Sequence, residues 1–355
     1  MATYMSFHVN IFKIFGIMVF SLVLCGQNVS IANNTLKDSI AKLMNINQKD
    51  IKLKKQKFGM NSSQNYIFEA NNQKYVLKLF KKRIKLEFRK NEIESVKIFS
   101  KLGLGSKLIA VAEDNSFYIR EYTDGKIVKP SDFQNQKFLI NFAKALKKLH
   151  DYDTDITSPK SLEYCLEKHY QSIIKKKIAL PSNFEKVYKE CKELYSKLPK
   201  RKGFCHNNLN PYNIIISENG NISFIALSNC GISNIYEELG YVTLLCGIFD
   251  KKLQLFLENY LGTQASQKEF EAVKLAQKLV SFLTSLVWFD FSETKKDKKI
   301  SIEERQKFLD DLLKSKDFKS AKDFIKDGKI VSIKSRNKLL VKQYALAFYK
   351  NYLQL

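Results

Sequence analysis

The residues of this chain that could do chemistry are concentrated in one short segment, Phe204–Ile216. The segment reads Phe-Cys-His-Asn-Asn-Leu-Asn-Pro-Tyr-Asn-Ile-Ile-Ile, so a histidine and several asparagines precede a run of isoleucines. The amide oxygen of Asn208 could accept a hydrogen bond from a substrate hydroxyl, but an amide cannot take up a proton at neutral pH. The segment is therefore suited to orienting a ligand and poorly suited to deprotonating one.

Two apolar runs, 213–217 and 221–227, accompany this segment and are joined by the turn-like sequence Ser-Glu-Asn-Gly. Read alone, they predict an ordinary β-hairpin. A magnesium ion bound beside the segment would need hard oxygen ligands. Ala226, near the end of the second run, offers none, and Glu218 lies in the turn.

A second hairpin is predicted upstream, where the β-prone runs 65–70 and 74–80 are separated by Asn-Asn-Gln. Lys78 lies in its second strand. The following residues, 89–108, have a helical pattern that Gly103 is expected to end. Glu92 on this helix is either the partner of Lys78 or one member of a solvated charged face.

Together these motifs resemble the choline kinase and aminoglycoside phosphotransferase branch of the protein kinase-like superfamily. The catalytic loop of that family reads His-Asn-Asp-Leu-x-x-x-Asn, and the next strand carries Ile-Asp. The same frame in this chain has Asn208 and Ala226 in place of the two aspartates. The Arg-Lys-Asn-Glu sequence at 89–92 is similar to a helix of bacterial choline kinases, and the resemblance extends from residue 51 to residue 291.

The resemblance implies an α+β, two-lobed protein kinase-like fold. The N-lobe is expected at 33–122 as a small antiparallel β-sheet with one helix. The larger, mainly helical C-lobe is expected at 123–292. A lysine-rich helical extension, 293–355, is expected to pack on the C-lobe.

The resemblance also implies a binding site for ATP and magnesium, in which metal ions and a carboxylate position the transferred phosphoryl group. His206 and Asn208 take the catalytic-loop positions, and Asn213 would be a metal ligand. The remaining nucleotide-binding positions are Ser62 and Ser63 in a glycine-containing loop, Lys78, Glu92, and the hinge residues Glu121 and Tyr122, together with Asn213. The loss of both aspartates argues against magnesium-dependent catalysis.

An amino-alcohol ligand such as choline or ethanolamine is implied by residues 281–291, which look like the choline kinase helix that bears Trp-x-x-Trp. Quaternary ammonium ions bind the faces of aromatic rings, and Trp288 and Phe291 occupy the two aromatic positions. Glu238 would offset the charge of the ligand. The alternative is that both aromatic residues are core packing at helical spacing.

The N-terminus predicts export. Residues 14–25 form a mostly apolar run that follows Lys13 and is shorter than the about 20 residues needed to span a bilayer. Small residues at Ser30 and Ala32 favour a signal peptide, 1–32, cleaved after Ala32. The alternative is an uncleaved segment that anchors the protein to a membrane.

The formal net charge of +24 indicates attraction to anionic surfaces, including phospholipid headgroups. It does not favour nucleic acid as a partner, because the basic residues are spread along the chain and no nucleic-acid-binding module is recognisable.

Three functions are compatible with these features. The favoured one is an exported pseudokinase, a choline kinase-like binding module that has lost phosphotransferase activity. The second is an active kinase that phosphorylates choline, ethanolamine or a similar amino alcohol with ATP. The third is an exported basic effector or surface-binding protein that uses the fold as a scaffold. Export argues against the second function, because ATP is scarce outside the cytoplasm.

Overall fold

A computed structural model describes residues 26–56, 63–293, 299–326 and 337–355. The chain divides into two compact units, residues 1–52 and 53–355. The described part of the first unit contains helix α1 (Gly26–Met44) and a 3-10 turn (Gln48–Asp50). Most of the predicted signal peptide lies outside the described residues, and the predicted cleavage position after Ala32 falls within α1.

The second unit begins with a five-stranded antiparallel sheet in the order β1-β2-β3-β5-β4. Its strands are β1 (Lys54–Gln56), β2 (Ser63–Ala70), β3 (Gln73–Phe80), β4 (Leu108–Val111) and β5 (Phe117–Glu121). Helix α2 (Leu86–Lys101) connects β3 to β4. The predicted small antiparallel sheet with one helix is thus confirmed.

Local sequence explains the turns of this sheet. Asn71 and Asn72 join β2 to β3 with φ angles of +49° and +59°, a conformation that asparagine tolerates better than most residues and that suits a two-residue hairpin turn. Helix α2 is followed by Gly103 at φ +67°, as expected of a glycine that ends a helix. The hairpin and the helix therefore form where the sequence predicts them.

The rest of the second unit is mainly helical, with two small sheets. One sheet pairs β7 (Lys202–Cys205) with β10 (Gly231–Asn234), and the other has the order β6 (Lys126–Ile127), β8 (Ile214–Ile216) and β9 (Ile222–Phe224). The helices are α3 (Gln136–His150), α4 (Leu162–Lys176), α5 (Phe184–Ser196), α6 (Ile235–Leu245), α7 (Asp250–Leu261), α8 (Gln267–Asp290), α9 (Ile302–Lys314), α10 (Ala321–Lys326) and α11 (Lys338–Gln354).

Helix α8 is the central helix of this part. Helix α6 approaches it so closely that a Cβ atom on Gly240 would lie 2.6 Å from the backbone carbon of Ala276. On another side α11 packs against α8, where the Asn351 amide donates a hydrogen bond to Ser281 Oγ at 2.8 Å. Within the described residues α8 is the one helix with the length and apolar composition of a membrane span, but most of that apolar stretch is buried inside the domain.

Candidate functional site

The loop between β7 and β8 is held in place by one buried carboxylate. Glu238, in the first turn of α6, accepts hydrogen bonds from the backbone amides of His206 at 2.9 Å and Asn207 at 2.6 Å. It also contacts His150 Nε2 at 2.9 Å, and His150 Nδ1 lies 2.7 Å from the hydroxyl of Tyr260. Both carboxylate oxygens of Glu238 are therefore committed to protein groups.

Glu238 was predicted to contact a substrate, but in the structure its carboxylate faces the interior of the protein. Glu238 is only 3% exposed, and its partners are the backbone of the loop and His150. Burial by itself would raise the pKa of Glu238, but the hydrogen bond and charge of His150 and the amide of His206 outweigh it and lower the pKa. The carboxylate is thus ionised and serves to position the loop.

His206 connects the loop to the segment that follows β9. Its Nε2 lies 2.7 Å from the backbone oxygen of Ile225, and its ring meets those of Phe99 and Phe224 edge-on. Burial lowers the pKa of His206, and its Nδ1 has no hydrogen-bond partner among the described residues. A neutral imidazole that donates from Nε2 fits this environment, so His206 braces the backbone and does not transfer protons.

The loop backbone is closed by asparagine side chains. Asn213 Nδ2 donates to the backbone oxygen of Asn208 at 2.7 Å, and the side chain of Asn210 donates to the same oxygen at 3.3 Å. The side-chain oxygen of Asn208 accepts from the hydroxyl of Tyr241 at 3.4 Å. Tyr241 was not predicted as a site residue, although it lies three residues after Glu238 and therefore on the same face of α6.

Asn207, in the loop itself, also has a role that the sequence did not predict. It has a left-handed backbone with φ +58°. Its side-chain amide donates to the backbone oxygens of Asn229 at 3.1 Å and Gly231 at 3.2 Å, and to Ser158 Oγ at 3.2 Å. Asn207 therefore ties the loop to the chain that leads into β10.

Ala226 lies just beyond the end of β9, in a left-handed conformation with φ +66°. Among residues with a side chain, asparagine and aspartate adopt this conformation most readily, and for other residues it costs about 1–2 kcal/mol. The adjacent residue, Ile225, donates its amide to the backbone oxygen of Asn213 at 3.0 Å. The backbone at 226 thus has the shape that suits an aspartate, while the side chain has no oxygen.

The residues at this site do not fit a magnesium ion held as the resemblance implies. Magnesium prefers oxygen ligands that include carboxylates. At the two implied ligand positions Asn213 offers an amide oxygen, and Ala226 offers none. Across the described ranges, the only cluster of acidic, histidine or cysteine side chains spaced to share a metal ion is His150, Cys205 and Glu238, which is buried behind the loop.

In the five-stranded sheet, Lys78 of β3 forms the predicted ion pair with Glu92 of α2. Both residues are buried. The hydroxyl of Tyr118 also donates to Glu92 Oε1 at 3.0 Å, from the position on β5 directly opposite Lys78. The pair is thus enclosed by the sheet and the helix and held in one orientation.

The other predicted nucleotide-binding residues are placed less favourably. Ser62 lies outside the described residues, and Ser63 is buried at the start of β2 opposite Phe80. At the hinge, the amide of Glu121 donates to the backbone oxygen of Lys107, and the amide of Tyr122 donates to that of Lys74, both at 2.9 Å. Neither hinge amide is therefore available to the edge of an adenine ring.

The two aromatic residues at the end of α8 each have a partner within the protein. Trp288 packs against Tyr344 of α11, with ring centroids 4.6 Å apart and an angle of 65° between the planes. Phe291 is 41% exposed, and the ammonium of Lys176 lies 5.5 Å from the centroid of its ring. Asp290 holds Lys176 through an ion pair.

These aromatic residues do not share a site with Glu238. Helix α6 meets α8 at Gly240 and Ala276, and the interval from Ala276 to Trp288 corresponds to about 18 Å along the helix axis. The structure therefore does not bring Glu238 together with Trp288 and Phe291, because α6 packs near the middle of α8 and the two aromatic residues lie at its end.

Several solved structures have a similar fold. A choline/ethanolamine kinase family protein from Mesorhizobium loti has a TM-score of 0.60 and 14% sequence identity, covering 89% of this chain and 99% of that chain. Choline kinase LicA from Streptococcus pneumoniae has a TM-score of 0.58 and 18% identity, covering 78% of this chain and 97% of that chain. A putative aminoglycoside phosphotransferase from Ralstonia eutropha has a TM-score of 0.57 and 11% identity, covering 91% of this chain and 98% of that chain.

No curated protein sequence matches the chain. A sequence profile of the choline/ethanolamine kinases matches residues 51–240. This range is more than half of the chain and contains the Lys78–Glu92 pair, the loop with Asn208, and Ala226. The protein therefore belongs to the choline/ethanolamine kinase family.

Proposed function

We propose that this protein is a choline kinase-like pseudokinase, a binding module that keeps the nucleotide-side ion pair and the loop of a kinase but does not transfer phosphate. The observation that carries the proposal is an intact loop with two changed reactive positions. Glu238 and His206 hold the loop, and residue 226 keeps its left-handed backbone. The two positions that carry the reactive aspartates in active kinases of this family are occupied here by Asn208 and Ala226.

The chemistry of phosphoryl transfer explains why these two positions decide the function. Transfer requires a metal ion to neutralise charge on the phosphates and a carboxylate to accept the proton of the attacking hydroxyl. Asn208 can hydrogen-bond the hydroxyl but cannot take its proton. Lys78 can still contact a phosphate, so binding requires less of this site than catalysis does.

An ATP-type nucleotide is the ligand that the buried Lys78–Glu92 pair supports. LicA, which shares the fold, has been solved in complex with AMP. Family membership further supports an amino alcohol as the second ligand. An ammonium ligand at Phe291 would have to displace Lys176, which already lies over that ring.

ATP is expected to bind the wild-type protein equally well with and without magnesium, because Ala226 provides no metal ligand. Lys78→Met is expected to weaken ATP binding about 10–100-fold, the effect of losing one hydrogen bond to a charged group. Isothermal titration calorimetry with ATP, in magnesium and in EDTA, measures both effects.

Two further variants control this experiment. Lys97→Met removes an exposed lysine of α2, the helix that carries Glu92, and should leave ATP binding unchanged; Lys97 pairs with Glu94 on the surface. The double variant Lys78→Met/Glu92→Gln does not leave a buried carboxylate without a partner, so it should fold well. It should bind ATP as weakly as Lys78→Met does. Nucleotide binding that requires magnesium, or that survives in both Lys78 variants, would contradict the proposal.

We further propose that the protein is exported. The apolar run at 14–25 and the small residues before position 33 support this proposal. Protein recovered from a secreting host is expected to begin at or near Asn33, as read by N-terminal sequencing. Ala32→Arg, which removes the small residue before the cleavage position, should block processing. Recovery of the intact chain from Met1 in the cytosolic fraction would overturn the proposal.

A further inference from the structure

A strongly basic surface lies at the junction of β3 and α2. We call residues 81–90 the β3–α2 tip. It contains six basic residues and one acidic residue, Glu87. The neighbouring β4–β5 turn adds Glu113 and Asp114, so this region keeps a positive excess.

The tip has a defined backbone. The amide of Phe80, just before it, donates to the backbone oxygen of Ser116 at 2.8 Å, and Ile84 closes a turn by donating to Lys81 at 2.9 Å. Arg89 then donates to the backbone oxygens of Ile84 at 2.9 Å and Lys82 at 3.3 Å. One guanidinium thus fixes the turn.

Three basic side chains project from this turn in exposed positions, Lys82, Arg83 and Lys85. Two large apolar residues follow in the first turn of α2, where Leu86 is 49% exposed and Phe88 is 41% exposed. Exposed apolar side chains have no favourable contact with a free phosphate or with a nucleic-acid backbone. They do have one with the boundary between lipid headgroups and acyl chains, into which apolar side chains insert while cations contact the headgroups.

We propose that the β3–α2 tip docks on the surface of an anionic lipid bilayer. Lys82, Arg83 and Lys85 contact the headgroups, and Leu86 and Phe88 insert at the headgroup boundary. Because α2 also carries Glu92, docking places the helix of the Lys78–Glu92 pair against the bilayer. This inference does not depend on whether the protein binds nucleotide.

The test measures how strongly the full chain prefers anionic over neutral vesicles. Binding to vesicles of phosphatidylcholine alone is compared with binding to equal amounts of phosphatidylcholine and phosphatidylglycerol. The ratio of the two affinities cancels the contribution of the apolar run at 14–25, which does not distinguish the lipids by charge. The wild-type protein is expected to prefer anionic vesicles and to lose that preference at high salt.

The charge-reversed variant Lys82→Glu/Arg83→Glu/Lys85→Glu is expected to reduce the preference by about two orders of magnitude or more, because each cation near the surface contributes about a fivefold factor. Leu86→Ser/Phe88→Ser keeps every charge and is expected to reduce binding to anionic vesicles about tenfold or more.

The matched control is Lys186→Glu/Lys189→Glu/Lys197→Glu, which makes the same change in charge at exposed positions on or beside α5. It should retain most of the preference, because screening limits the reach of exposed charges to about 8–10 Å. Equal losses in the tip variant and the α5 variant would overturn the proposal. So would a wild-type protein that ignores lipid charge but binds duplex DNA through the tip, which would identify a nucleic-acid surface.

Discussion

Restoring both carboxylates, with Asn208→Asp and Ala226→Asp in one protein, is expected to produce phosphotransferase activity toward choline or ethanolamine. The wild-type protein is expected to fall at least about 10²–10⁴-fold below the about 1–100 s⁻¹ of active kinases, since loss of a general base alone has an effect of that size. Each single variant should remain inactive, because one lacks the proton acceptor and the other lacks the metal ligand.

The backbone at position 226 and the hydrogen bonding at position 208 are compatible with carboxylates. At position 226 the backbone already has φ +66°, so aspartate is better suited to it than the alanine that is present. At position 208 the hydroxyl of Tyr241 lies 3.4 Å from the side-chain oxygen. Burial raises the pKa of Tyr241 to about 12, so this hydroxyl stays protonated and can donate to a carboxylate.

Transfer of radiolabelled phosphate from ATP to choline or to ethanolamine, with magnesium, measures the effect and shows which amino alcohol is accepted. Asn219→Asp, in the exposed turn between β8 and β9, adds a carboxylate near the loop without changing the site and should have no effect. Wild-type turnover near 1 s⁻¹, the lower end of the range for kinases, would contradict the pseudokinase proposal. An inactive double variant would show that the protein has lost more than two carboxylates.

Local patterns predicted the elements that position the site. The two asparagines of the β2–β3 turn and Gly103 after α2 act through their own backbone preferences, which do not depend on distant residues. The hairpin and the helix were therefore accessible from local sequence. The pairing of Lys78 with Glu92 came from the resemblance to the choline kinases, because helical spacing alone is equally compatible with a solvated charged face.

The role of Glu238 could not be read from local sequence. The resemblance identified its position, but its three partners come from α3 and from the loop after β7. Whether a carboxylate faces solvent or the protein depends on how these distant segments pack. Burial with complete hydrogen bonding gives a positioning residue, whereas exposure at the same position would give a ligand contact.

The contacts of the two aromatic residues could not be predicted from local sequence either, because they are made by distant elements. Trp288 is covered by Tyr344 because α11 returns along α8, a contact that no local period indicates. Phe291 is the residue immediately after α8, where the helical spacing that placed it beside Trp288 no longer applies. Lys176 of α4 then takes the face of its ring.

Glu238→Ala is expected to lower the free energy of unfolding by about 3–5 kcal/mol, the loss found when one partner of a buried ionic contact is removed. The change leaves the amides of His206 and Asn207 buried without an acceptor, and each such group costs about 1–3 kcal/mol. Urea unfolding at pH 7 measures the loss. Glu271→Ala, the same substitution at an exposed position of α8, should stay within about 0.5 kcal/mol of the wild type.

The pH dependence of this loss separates a positioning role from simple packing. The pKa of Glu238 is lowered in the folded protein, so its ionised form stabilises the fold above the unfolded value of about 4.3, and that contribution is lost as the pH falls toward the folded value. The difference between wild type and Glu238→Ala should therefore shrink below pH about 4. A difference that stays constant with pH would indicate a cavity effect. A variant with wild-type stability and weakened choline binding would instead restore Glu238 to the substrate site.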